Sequence, residues 1–411
     1  GMEVTVAGWV DIRRDHGKLI FIDLRDKSGV IQVVVSPKHK DAYETLKEAR
    51  SEWVLQVTGI VKKRPDNMVN ADIETGDVEI EVEKVVVLNK ADELPFEKDA
   101  ELNLDTHLDH LPLTLRSKKG RAIFKIQAEI IAGYREALTA RGCTEFQAPK
   151  LVGDDAEGGG NVFSVEYFNN TKAYLATSPQ LYKQIMVGIF ERVFSTGNVF
   201  RAEKHSTTRH LNEYTSLDAE FGFIKDHHDV MEILTEVLHH IILRVKKNCV
   251  TEYKFLNVEF GSAPKEFPAL KLREAQMLIK KGAGIDHTKE PDLDPGDERW
   301  LSEYAARELN SDFIFITHYP VEKRPFYTYE DEGDRGYTKS FDLLFRGVEI
   351  TTGGQRVHEY AMLIQKIKER GLNPDDFSFY LEAFKYGMPP HGGFGMGLER
   401  LTQKLLNLSN I

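Results

Sequence analysis

The residues best suited to chemistry fall in two runs. In the first, Arg201 and Glu203 precede a polar stretch from Lys204 to Arg209, and His210, Tyr214 and Asp218 follow it. A strand, a donor-rich loop and a returning strand would bring Arg201, Arg209 and His210 toward one anion and let Glu203 accept a hydrogen bond from an amino group. That is the chemistry of a nucleoside triphosphate site, although such a hairpin alone also serves as a solvated loop. The second run, Tyr386 to Arg400, is rich in glycine and ends on an arginine. Glycines let a backbone approach a flat ring closely, and an arginine stacks on or pairs with a nucleotide. A loop that only packs is the alternative, and the run is long for one. Asp342 and Glu349 stand seven residues apart. As hard oxygen donors near a triphosphate they suit Mg²⁺, while by spacing alone they read as two surface acids. The pairs His227-His228 and His239-His240 also invite a metal reading, but neighbours on a helix point to different faces, so both are expected to be structural.

Positioning these groups requires particular elements. From Glu3 to about Val87, short Val- and Ile-rich runs are broken by turn signals around Asp15 to Gly17, Asp26 to Gly29 and Arg64 to Asn67, the pattern of a small β-barrel. One helix is expected near Asp41 to Ser51, and Leu19 to Leu24 should form a hairpin with Val30 to Val35. Periodicity then fades and charges take over around Pro95 and Pro112, which places a connection over residues 91–119 between a barrel at 1–90 and a second domain at 120–411. There Ile123, Ile126, Ile130, Tyr134 and Leu138 recur at helical spacing until Gly142 stops the helix. Strand-like runs at Lys254 to Glu259 and Asp312 to Thr317, with a helix at Val230 to Lys246, favour an antiparallel sheet flanked by helices, an α+β arrangement. No Rossmann or P-loop signature is present, so another device must hold a triphosphate.

The length of 411 residues and the 41% apolar share support at least two cores. A formal net charge of −11 excludes a uniformly basic nucleic-acid binder, leaving RNA contact to local patches. Cys143 and Cys249 have no near neighbours to complete a metal or redox pair and are expected to be reduced core residues. No apolar run reaches membrane-spanning length and no leader is recognisable, so a cytoplasmic protein is expected.

With Pro149 after the long helix, the runs around Arg201 and Arg400 resemble the three sequence motifs of class II aminoacyl-tRNA synthetases. The resemblance covers nearly the whole chain, and the order of barrel, linker and motifs is that of the subgroup for aspartate, asparagine and lysine. It implies a five-stranded oligonucleotide-binding barrel ahead of a class II catalytic domain, and a homodimer with Pro149 at the interface. Arg201 would bind the α-phosphate of ATP, Glu203 the adenine amino group and Tyr214 the adenine face. Arg209, His210 and Arg400 would hold the distal phosphates, Arg201 and Arg400 being the catalytic pair. Asp342 and Glu349 match the family's Mg²⁺ ligands, with a hydroxyl from Thr352, and Glu349 thereby contributes to ATP binding.

For the amino acid, Gln180 and Lys183 resemble the segment of aspartate-specific members, in which the lysine pairs with the substrate carboxylate. Arg356 would supply a bidentate partner to the same group, and Glu157 and Asp218 would lie near the α-ammonium. Facing both cations, an asparagine amide would be mismatched by ~2 to 5 kcal/mol. In the barrel, Phe21 and Gln32 resemble the residues that stack on and hydrogen-bond an anticodon base, with Arg14 nearby. The resemblance therefore implies ATP-dependent joining of L-aspartate to tRNA(Asp), with tRNA(Asn) left open. An asparagine-specific enzyme and a noncatalytic tRNA-binding relative are the alternatives. The short interval between second and third motifs implies a catalytic domain of archaeal or eukaryotic style. Because relatives run on past the third motif, the given sequence is expected to stop short at Ile411.

Overall fold

The computed structural model describes residues 1–71, 73–153, 161–204 and 207–411. The chain divides into two compact units, Gly1–Ser117 and Lys118–Ile411.

In the first unit, strands β1 (Glu3–His16), β2 (Leu19–Arg25), β3 (Val30–Val35), β4 (Val54–Lys63) and β5 (Val78–Asn89) close a barrel in the order β1-β2-β3-β5-β4. Alternation does the sorting: Ile20, Ile22 and Leu24 on β2 and Val33 and Val35 on β3 point inward with Leu55, Val57, Ile80 and Val82, while Phe21, Asp23 and Gln32 take the outer face. Each inward aliphatic side chain contributes about 1.5–3 kcal/mol of burial. Helix α1 (Lys40–Glu48) adds Ala42 and Leu46 to this core.

The expected linker is structured and tied to the barrel. It carries two short helices, α2 (Leu104–Asp109) and α3 (Leu111–Thr114). The buried carboxylate of Glu52 binds Arg25 at 3.0 Å, Lys98 at 3.5 Å and Arg116 at 3.2 Å. A buried anion needs such partners, and here two of the three come from the connecting stretch.

The second unit opens with α4 (Lys118–Ala140). After it come β6 (Thr144–Glu145) and a small sheet of β7 (Leu151–Val152), β8 (Ser164–Tyr167) and β9 (Thr171–Leu175). Next are α5 (Gln180–Phe190), β10 (Arg192–Phe200), β11 (Glu213–Gly222), α6 (His227–Asn248) and α7 (Val250–Phe255). Then follow β12 (Ala269–Lys271), α8 (Leu272–Ala283), α9 (Pro295–Glu308), β13 (Phe313–Thr317), β14 (Ser340–Phe345) and β15 (Val348–Arg356). The chain finishes with α10 (Tyr360–Glu369), α11 (Ser378–Lys385), β16 (His391–Gly397) and α12 (Leu398–Leu405).

Eight strands form one sheet in the order β12-β13-β14-β15-β16-β11-β10-β6. The antiparallel sheet that was expected forms its centre, and parallel pairing is confined to the edges, in β6–β10 and β12–β13. Ile126, Ile130, Tyr134 and Leu138 of α4 pack with Val230, Leu234, Leu238 and Ile241 of α6 in the largest core, which reaches Leu217, Phe221, Phe394 and Met396 of the sheet. The strand expected at Lys254 to Glu259 is absent: α7 occupies Val250–Phe255, directly after α6. Alternation over six residues does not separate a strand from a helix end. No helix among the described residues is long and apolar enough to cross a membrane.

Candidate active site

Strands β11 and β16 expose the logic of the site. On β11, Leu217, Ala219 and Phe221 enter the core, so Ser216, Asp218 and Glu220 share the opposite face. Directly across on β16, Gly397, Gly395 and Gly393 pair with those three residues. A Cβ on Gly393 would stand 2.2 Å from Glu220 Oε2, and one on Gly395 would stand 3.1 Å from Asp218 Oδ1. The glycine run therefore clears room for carboxylates in addition to letting Gly395 and Gly397 border the cleft described next.

That cleft has a volume of about 410 Å³. It brings together Gln180, Lys183, Arg201, Glu203, Arg209, His210, Tyr214, Asp218, Glu349, Thr352, Arg356 and Arg400. Its walls carry seven Lys and Arg against four Asp and Glu, a local reversal of the chain's −11. The hairpin β10–β11 supplies one wall: Arg201 donates its backbone N–H to Asn212 O at 2.8 Å and places its guanidinium 5.9 Å from the Tyr214 ring centroid. Asn212 Nδ2 also donates to Glu203 O at 2.9 Å, pinning both ends of the loop. Thr207 Oγ1 and His210 Nδ1 are 2.6 Å apart. Arg400, in the first turn of α12, donates to Glu349 O at 2.9 Å and to Arg209 O at 3.3 Å, so its charge faces carbonyls. Arg209 pairs with Glu298 of α9 at 2.9 Å. Burial pushes the Glu298 carboxyl up to about 7, Arg209 opposing and Glu349 adding to the rise.

At the other end, Lys183 on α5 is only 1% exposed. Its ammonium donates to Asp218 Oδ1 at 2.9 Å and Phe394 O at 3.0 Å, and lies 3.4 Å from Glu220 Oε2. Arg356, at the end of β15, donates from Nε to Glu220 Oε1 at 2.9 Å and from Nη2 to Gly393 O at 3.0 Å. Glu220 thus stands between both cations. Burial raises its carboxyl, but Arg356 and Lys183 outweigh that and hold it below the usual glutamate range. Behind it runs a buried chain: Gln180 Nε2 donates to Gln184 Oε1 at 3.0 Å, Tyr380 OH donates to the same oxygen at 3.2 Å, and Gln184 Nε2 is 2.9 Å from His391 Nε2. His391 Nδ1 lies 2.8 Å from Pro389 O. This carbonyl can only accept, so the ring is assigned as the Nδ1–H tautomer with Nε2 accepting from Gln184.

The acid pair is split between levels. Glu349 and Thr352 border the cleft, with Thr352 Oγ1 donating to Glu349 Oε1 at 2.7 Å. A register irregularity between Leu343 and Leu344 inserts Ile350 as an extra residue on β15, and such a bulge re-aims side chains, putting Glu349 and Thr352 on one side. Asp342 lies beneath the lining, its Oδ2 bound by Arg324 at 2.7 Å and its Oδ1 buried without a hydrogen-bond partner among the described residues. Burial, together with the negative charge of Glu349, raises the Asp342 carboxyl against the pull of Arg324. Unsatisfied carboxylate oxygen and like-charge strain are what a divalent cation relieves, so the donor set fits Mg²⁺.

Glu157 lies outside the described residues. Pro149 is exposed between β6 and β7 and is not among the cleft residues. In the barrel, Arg14 binds Asp23 through two contacts of 2.8 and 2.7 Å and donates to Gln32 Oε1 at 3.1 Å. Gln32 Nε2 donates to Glu79 at 2.8 Å, and Phe21 packs edge-on against His16 at 5.6 Å. Sequence reading missed Glu220, although its position two residues after Asp218 on one strand was the available signal. It also missed Arg324, Glu298 and the Gln184–His391 chain, for which no local pattern exists. His239 and His240 separate as expected, toward Pro264 O and Glu136. His227 and His228 do not: their rings lie 4.1 Å apart.

A cation-rich cleft on a mixed, glycine-cleared sheet, in a chain that also carries a closed five-stranded barrel, defines a nucleotide-using enzyme that handles nucleic acid. The chain belongs to the class II tRNA synthetases of the D, K and N group, whose family model matches residues 103–411, and the model for the OB-fold nucleic acid binding domain matches residues 4–88. The aspartate–tRNA(Asp/Asn) ligase of Thermus thermophilus is 45% identical over all of this chain and 94% of its own length. The aspartate–tRNA(Asp) ligase of Pyrococcus abyssi is 40% identical over all of this chain and 93% of its own. Among solved structures, the asparaginyl-tRNA synthetase of Pyrococcus horikoshii complexed with asparaginyl-adenylate is similar with a TM-score of 0.90 at 32% identity, covering all of this chain and 93% of that one.

Proposed function

We infer that this protein activates L-aspartate with ATP and transfers it to tRNA. The observation that carries the amino-acid choice is the buried pairing of Lys183 and Arg356 around Glu220 at the closed end of the cleft. A second carboxylate brought there meets ammonium and guanidinium donors, whereas an amide leaves donors opposed to donors. Full-length relatives named as aspartate ligases support the same choice.

In the first step an α-carboxylate oxygen of aspartate attacks the α-phosphorus of ATP, the bond to pyrophosphate breaks, and aspartyl-adenylate forms. In the second, the terminal ribose hydroxyl of tRNA attacks the aspartyl carbonyl and AMP leaves. No protein nucleophile takes part; positioning and charge neutralisation lower the barrier. In this reading Arg201 faces the α-phosphate, Glu203 and Tyr214 hold adenine, and Arg209, His210 and Arg400 hold the distal phosphates. Gln180 and Asp218 orient the aspartate. Glu349 and Asp342, with Thr352, would hold Mg²⁺, which supplies charge neutralisation on the triphosphate. Phe21, Gln32 and Arg14 read the anticodon. The enzyme is proposed to be a cytoplasmic homodimer with Pro149 at the interface and, as the name of the Thermus relative supports, to charge tRNA(Asn) as well as tRNA(Asp).

Pyrophosphate exchange into ATP tests the central claim. Aspartate should support exchange, asparagine should not, and Arg356→Ala should abolish it. Comparable exchange with asparagine, or near-normal exchange in the variant, overturns the assignment. Labelled aspartate offered with each tRNA decides the breadth of charging.

A further inference from the structure

Away from the cleft, the start of α6 gathers metal-ligating side chains. Asp226 caps the helix by accepting the His228 backbone N–H at 2.8 Å, and lies 3.0 Å from His228 Nδ1. His227 turns inward and is 2% exposed, its ring also packing edge-on against His318 at 5.4 Å. Neither nitrogen of the His227 ring has a hydrogen-bond partner among the described residues. One ligand atom from each of Asp226, His227 and His228 falls within 4.8 Å of the other two. His318 does not satisfy the buried ring, because its own nitrogens are engaged by Thr317 Oγ1 at 2.8 Å and Asp331 Oδ2 at 3.1 Å.

We propose that Asp226, His227 and His228 form a binding site for a borderline-soft transition-metal ion such as Zn²⁺, using one carboxylate oxygen and two imidazole nitrogens. An imidazole buried with both nitrogens unsatisfied is a costly arrangement, and a cation on its lone-pair nitrogen relieves one of the two. Nitrogen donors select Zn²⁺ and its neighbours over Mg²⁺, which takes oxygen, so the site is chemically distinct from the Asp342 and Glu349 pair. Three protein ligands leave a position for water, and the exposed side chain of His228 gives the ion a way in. Burial keeps the His227 ring neutral, the form a metal requires. The other grouping of this type, His287, Asp294 and Asp297, lacks that feature: His287 is bound to Asp297 at 2.9 Å, and Asp297 also closes the cap of α9.

The test titrates Zn²⁺ alone into the full-length, chelator-stripped protein by calorimetry, with Mg²⁺ present to occupy oxygen sites. Uptake of about one equivalent per chain is expected, and His228→Ala, at an exposed position that leaves the fold intact, should weaken it at least about tenfold. Asp226→Asn provides a second reading should the first variant alter the helix start. A protein that takes up no zinc, equal uptake in wild type and both variants, or a loss confined to a His239→Ala, His240→Ala control overturns the site.

Discussion

Glu220 is the residue that joins the two buried cations of the proposed amino-acid pocket. Removing one member of a buried charge cluster leaves its partners uncompensated, with a cost of several kcal/mol. Glu220→Gln keeps the shape and removes the charge, so Lys183 and Arg356 lose their common anchor. The expected outcome is a fall in kcat/KM for aspartate of about 30-fold or more, corresponding to ~2 kcal/mol. The KM for ATP, which the proposed reading places at the opposite end of the cleft, should stay within about threefold in the same exchange assay. A second prediction concerns acid. His391 is fully buried, and burial pushes its ring down to about 4 against the opposing pull of Glu220. The unfolded chain takes up a proton near 6.5 while the folded ring refuses it until about 4. Stability present above 6.5 is therefore lost as pH falls through that window. Thermal midpoints measured between pH 7.5 and 4.5 should drop, and drop less in His391→Gln; equal slopes would remove His391 as a contributor.

Among the elements, β16 is the most constrained. Its glycines meet β11 so closely that a methyl group at Gly393 would lie 2.1 Å from Ala219 O. Backbone cannot yield that far without separating the two central strands, so Gly393→Ala is expected to abolish aspartate-dependent exchange and lower the melting temperature. At Gly153 a methyl group meets nothing within 4 Å among the described residues, and Gly153→Ala should be near neutral. The strand–loop–strand around Arg201 and the glycine strand running into α12 were legible because their periodicity and turn chemistry are local. So were the barrel strands, whose alternation survives in the burial of Ile20, Ile22 and Leu24. What escaped depends on tertiary context. The bulge at Ile350 leaves no trace in composition, yet it decides where Glu349 points. The run from Lys254 looked extended because aromatic and aliphatic residues crowd into six positions, yet it holds only the last turn of α7 and the turn that follows it. Arg324 reaches Asp342 from eighteen residues away across a turn, a distance no motif spans.

Across the whole molecule, two independently packed units imply two separable functions. Phe21 lies on the outer face of the barrel, whose core is distinct from the one that supports the cleft. Phe21→Ala should therefore raise the KM for tRNA in aminoacylation by about 5- to 150-fold, the worth of one stacked base at ~1–3 kcal/mol, and leave pyrophosphate exchange unchanged. A matching loss in exchange would show that the substitution acts through folding. The acidic surface charge and the cationic cleft also divide labour: the former repels polyanions generally, and the latter admits them at one opening.

The carboxylate wedged between Lys183 and Arg356 means the recognition pocket carries its own counter-ion. Without it Arg356 would lack a carboxylate partner and would recruit chloride or phosphate from the medium, which each arriving amino acid would have to expel first. With Glu220 in place the exchange is with water alone. In the proposed reading, aspartate binding is thereby shielded from the ionic composition of its surroundings, while the arginines proposed to face phosphate at the open end remain subject to it.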